Sequence, residues 1–154
     1  MKNGSTFFLK IVVLLLGITV FGLCAVALPI GITVDMTGYY KPILIGLYVP
    51  AIPFFVALYQ AMKLLKHIDG KAAFSHASVA TLKNIKYCAI IISALFTLGM
   101  PYIYYVADKD DAPGVVAIGL VIVGASIVIA TFAAVLQKLI QNALEIKSEN
   151  DLTV

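Results

Sequence analysis

Residues 11–34, IVVLLLGITVFGLCAVALPIGITV, form a run of 24 residues without a charge. At 1.5 Å per residue a helix of that length spans about 36 Å, enough to cross the roughly 30 Å hydrocarbon core of a bilayer. No element of a soluble core needs so long an apolar stretch, so the run predicts a transmembrane helix. Lys2 and Lys10 ahead of it, and Ala25-Val26-Ala27 within it, resemble the start and cleavage site of a signal peptide. The apolar residues continue past that site to Val34, so the segment is expected to stay as a membrane helix. Leu23 occupies the place where a lipoprotein site at Cys24 would need a small residue.

Three more uncharged runs follow, at 42–62, 87–107 and 112–137. The chain of 154 residues is thus expected to be an all-α membrane protein, a single four-helix transmembrane bundle. Composition agrees: 62% of residues are hydrophobic and 12% charged, against about half and about a quarter in a soluble domain. Mean hydropathy is +1.02.

All eleven basic residues are lysine, and there is no tryptophan. Lys2, Lys10, Lys63, Lys66, Lys71, Lys83, Lys86, Lys138 and Lys147 fall on one side of the predicted spans; only Lys41 and Lys109 fall on the other. Short cytoplasmic loops are enriched in basic residues, so both termini are expected in the cytoplasm of a multi-pass bacterial plasma-membrane protein. The same dispersal, a net charge of only +3 and the lack of arginine exclude nucleic acid as a direct ligand.

The outer connections, 35–41 and 108–112, are tight turns. The cytoplasmic connection, 63–86, is longer and carries helix signals. Gly70 can end an extension of the second span, and Ser75 can cap a new helix with Phe74 and Val79 as its hydrophobic staple. Ser78, Leu82 and Ile85 share one face of that helix, which is expected to run on into the third span.

No Asp, Glu, Lys or His lies within the four runs, which argues against proton or ion coupling. Thr19, Ser93, Thr97, Ser126 and Thr131 can bond to helix backbone. Small residues mark expected close packing: Gly119, Gly124, Ser126, Ala130 and Ala134 in the fourth span, and Gly17, Gly22 and Gly31 in the first. Pro29, Pro50, Pro53 and Pro101 all fall in the outer halves of the first three spans, and six of the eight tyrosines lie toward that side. Two readings follow: an interfacial aromatic belt with tolerated kinks, or an outward-opening cavity lined by Tyr48, Tyr102 and the carbonyls freed near Pro50 and Pro53.

No metal site or cofactor is expected. Asp108-Lys109-Asp110-Asp111 lacks the spaced ligands of a calcium loop, and His67 and His76 have no cysteine or carboxylate cluster beside them. Cys24 and Cys88 belong to no C-x-x-C pair and read as small buried hydrophobes. Without a hydrolase, metalloprotease, phosphate-loop or dinucleotide motif, the chain is not expected to be an enzyme.

Ala73-Phe74-Ser75 and Leu82-Lys83-Asn84-Ile85-Lys86-Tyr87, with the four-span layout around them, resemble the YoaS-like family of small membrane proteins of Gram-positive bacteria. His76-Ala77 departs from the polar or acidic residue that the family places soon after the serine. The resemblance implies an integral membrane protein, often encoded beside a small helix-turn-helix regulator, and carries no catalytic residue.

Two functions are therefore expected. The first is a non-catalytic membrane protein, regulatory or accessory, that binds another protein through the 63–86 linker and the C-terminal tail; the small-residue faces could equally pack against a second copy of the chain. Phe74, Leu82, Lys83 and Lys86 are its candidate contacts. The second is a binder or transporter of a small molecule, lipid or peptide in the outer cavity of Tyr48, Pro50, Pro53 and Tyr102.

Overall fold

A computed structural model describes residues 2–34, 38, 40–70 and 75–153. Among them every regular element is a helix: α1 (Lys2–Gly22), a π-helical turn (Leu23–Ala27), α2 (Leu28–Val34), α3 (Lys41–Gly46), α4 (Tyr48–Asp69), α5 (His76–Lys109) and α6 (Pro113–Thr153). Together α1, the π-turn and α2 make the first span, and α3 with α4 the second. All four spans are long and apolar enough to cross a membrane, and the protein is an all-α four-helix membrane bundle.

The helices overrun the uncharged runs because lysine is a good helix former and the chain need not unwind on leaving hydrocarbon. Gly70 closes α4, its N–H bonding the Lys66 carbonyl at 3.0 Å. Ser75 is extended and caps α5: its Oγ accepts the Ser78 N–H at 3.2 Å. From there α5 continues without interruption into the third span, as its shared apolar face predicts. At the opposite end Asp111 adopts a left-handed backbone (φ 50°), a conformation aspartate tolerates, and reverses the chain within a few residues.

Neighbouring spans pack in chain order, most extensively α5 against α6, then α4 against α5 and α1 against α4. The first and last spans are not among the broadly packed pairs. The core lies along α5, where Val106, Ala107, Ile103, Ala89 and Cys88 are buried, and on α6, where Ser126 and Ala133 are buried. Outward faces are as apolar as the inside: Leu98, Val121, Ile18 and Phe132 are each exposed, as a lipid-facing surface must be.

The small-residue expectations divide. A Cβ on Gly119 would lie 2.7 Å from Met100 Sδ, so this glycine lets α6 approach α5. Ser126 is buried, while Ala130 and Ala134 are half-buried beside the more buried Ala133. Gly124 is a correction: it is exposed and nothing lies within 4 Å of where its Cβ would be. Each residue turns a helix by about 100°, which sets Gly119 and Ser126 on one face and Gly124 on the other. In the first span Gly17 and Gly31 seat Leu58 and Leu44, but Gly22 meets no side chain.

Candidate functional site

Each of the four prolines toward the short loops leaves a carbonyl without its helical donor; Pro53 and Pro101 sit inside unbroken helices, whereas at Pro29 and Pro50 the helix departs from regular geometry. In a regular α-helix the Ala25 carbonyl would need the N–H of residue 29, which is Pro29 and has none. The π-turn displaces this defect. Leu28 N–H bonds the Leu23 carbonyl, five residues back. Cys24 O thus loses its α-helical donor, and its π-helical donor would again be Pro29. The Cys24 carbonyl, orphaned in this register, accepts the Tyr48 hydroxyl at 2.7 Å from the second span. Tyr48 is therefore a cross-helix tie, and its expected place in an outer cavity is corrected.

In the second span, Pro50 cannot donate to Gly46, and the helix breaks there into α3 and α4 around Leu47. Beside the break lies a cleft of about 380 Å³ between this part of the second span and α5. Gly46, Leu47 and Pro50 form one wall; Phe96, Gly99, Tyr102 and Ile103 form the other. Two expected cavity residues, Pro50 and Tyr102, are brought together here. Pro53 is not: it sits inside α4 and does not line the cleft, because it is three residues, nearly a full turn, below Pro50. Neither Gly46 nor Gly99 has an atom within 4 Å of a would-be Cβ, which is the space the cleft occupies.

On the far side of Pro50 and Phe96 a second crevice, also about 380 Å³, is lined by residues of all four spans: Cys24, Leu28, Pro50, Phe54, Phe96 and Ile122 among them. It lies where the first and last spans fail to close against each other.

The end carrying the linker is organised by a different set of groups. Asp69 accepts hydrogen bonds from the Lys10 ammonium and the Thr6 hydroxyl, tying α1 to the end of α4. These donors, Lys10 foremost, hold the Asp69 carboxyl below the usual carboxylate range; Asp69 lies beyond the uncharged run of its span, past Lys63 and Lys66. Lys83 and Lys86 both sit over the Tyr87 ring, at 6.0 and 5.0 Å from its centroid. Leu82, expected as a contact residue, is corrected: it is 4% exposed and packs inward with Ser78, Val79 and Thr81. The helical period that groups Ser78 with Leu82 turns both toward the bundle. Phe74, the remaining candidate contact and half of the expected staple, lies outside the described residues, as does Tyr39.

Sequence reading overlooked several polar groups. The amide oxygens of Gln60 and Gln137 are buried with no hydrogen-bond partner among the described residues. Both were visible as polar side chains inside otherwise apolar runs. The aspartate-rich turn serves as a tie, since the Tyr40 hydroxyl donates to Asp110 at 2.6 Å across the short-loop end. No three potential metal ligands come together among the described residues. Cys24 and Cys88 are free thiols.

Residues 8–154 match the family described as protein of unknown function, DUF2975. Over 160 aligned positions covering all of both chains, the sequence is 54% identical to the uncharacterized membrane protein YoaS of Bacillus subtilis (strain 168). No solved structure matches.

Proposed function

The chain belongs to the DUF2975 family, and we propose that this member is a non-catalytic membrane protein that binds a small apolar or amphipathic molecule in the cleft beside Pro50. The observation that carries this reading is the cleft itself. Two glycines and a proline-broken helix open a space of ligand size in an otherwise ordinary helix contact, and Tyr102 adds a phenol to an apolar wall. If the lysine bias sets the topology, the cleft faces the outer half of the bilayer. Mass spectrometry of what is retained by the protein in mild detergent tests this. Gly99→Leu, which fills the cleft, should lose a retained small molecule that the wild type keeps; identical retention by both counts against the reading.

A second reading, docking of a protein partner at the linker end, has support of its own. Helix α6 runs on to Thr153, and from Glu145 to Asn150 every residue is exposed, Ile146 included. Helices of this kind are marginal in water without a partner. Lys83→Glu together with Ile146→Ser should remove a stoichiometric protein partner at equal membrane expression, and Gly99→Leu should leave it bound.

A further inference from the structure

The central crevice stands apart from the cleft, and its surroundings say what can fill it. Along the first span Cys24 is 14 residues from Lys10 and 11 from Asp35; along the fourth, Ile122 is 11 from Asp111 and 16 from Lys138. At 1.5 Å per residue every one of these intervals is at least about 16 Å, so the crevice lies near the middle of a hydrocarbon core roughly 30 Å thick. No aqueous partner or lipid headgroup reaches that depth.

Water is a poor occupant too. The lining side chains are apolar apart from the Cys24 thiol, and the main-chain acceptor freed there, the Cys24 carbonyl, is already engaged by Tyr48. An apolar space of this kind does not hold water. A hydrocarbon chain meets the requirements of both depth and polarity. It also has a way in, because a bundle with short loops ordinarily closes its first helix on its last, and here those two spans do not pack broadly.

We infer that the central crevice is a binding site for one acyl chain of a bilayer phospholipid, admitted sideways between the first and last spans. By capping Cys24, Tyr48 keeps the site free of an unsatisfied carbonyl. The inference is independent of ligand binding in the Pro50 cleft, which opens on the other side of Phe96.

The chain has no tryptophan, so a single introduced one is a clean reporter. Phe54→Trp places it in the crevice wall, and Leu98→Trp on the lipid-facing surface, where Leu98 is 79% exposed. Full-length protein is reconstituted in vesicles of phosphatidylglycerol brominated at mid-chain, then mixed with an excess of unbrominated lipid. Both reporters should be quenched at first. After mixing, the Leu98→Trp signal should recover at once while the Phe54→Trp signal stays quenched. Adding Ile122→Phe, which fills the crevice, should abolish the retained quenching. A Phe54→Trp reporter never quenched, or recovering as fast as Leu98→Trp, overturns the inference. So does a Cys24-dependent dimer on mild oxidation, which would put a second copy in the crevice. The exchange measurement decides even if Ile122→Phe does not insert.

Discussion

Replacing Tyr48 by phenylalanine removes one oxygen and leaves the Cys24 carbonyl without a donor. The defect cannot be repaired locally. If the π-turn slipped back to α-helical register, Leu28 N–H would satisfy Cys24, but Ala25 would then face Pro29 and be orphaned instead. With Pro29 in place at least one carbonyl of this turn lacks a helical donor, and in the observed register the Cys24 carbonyl lies 2.7 Å from a hydroxyl of the second span. Leaving a buried acceptor unsatisfied costs about 1–3 kcal/mol. Measured side-chain bonds between membrane helices average only about 0.6 kcal/mol, with a maximum near 1.7, because the freed groups find other partners. Since no other partner is available here, the upper part of that range applies, and Tyr48→Phe should destabilise by about 1–2 kcal/mol. Reversible unfolding in mixed micelles measures this. The decisive variant is Pro29→Ala, which supplies the missing N–H. In that background Tyr48→Phe should cost close to nothing, so that the double-mutant cycle returns a coupling as large as the single effect. An equal cost with and without Pro29 would falsify the account, because Tyr48 would then contribute through packing alone.

Other consequences are open to direct test. A cysteine placed at Lys109 should be modified by an impermeant thiol reagent outside intact cells and one at Lys147 should not; the reverse pattern rejects the topology drawn from the lysines. Gly119→Leu forces a side chain into Met100 and should destabilise the detergent-extracted protein by about 1–3 kcal/mol, as overpacking does, whereas Gly124→Leu, on the exposed face, should leave its melting unchanged. A folded-state carboxyl held below its unfolded value stabilises at neutral pH and loses that contribution as pH falls through the folded value. Protease access to the start of α1 should therefore rise in acid below the ordinary carboxylate range, and Asp69→Asn should show the raised access already at neutral pH. Access that ignores both changes would mean that Lys10 and Thr6 do not anchor α1 through Asp69.

What could be read from the sequence was what depends on neighbours along the chain. Four uncharged runs long enough to cross a bilayer dictate four helices, because a backbone in hydrocarbon must satisfy its hydrogen bonds within the segment. The Ser75 cap and the Gly70 stop are equally local, and both helix ends fall at those residues. Which face of each helix turns inward was not legible, because lipid is as apolar as the bundle interior and hydrophobicity marks no side. That is why Gly124 read like Gly119; Leu82, in the connection outside the uncharged runs, read as an exposed contact because only packing shows that it is buried. The central crevice and the tie between Tyr48 and Cys24 belong to tertiary structure alone, whereas Pro50 and Tyr102 of the other cleft were marked by the proline and tyrosine bias. A proline announces that a carbonyl will be orphaned, but which carbonyl, and what reaches it, is decided only when a second helix is laid against the first.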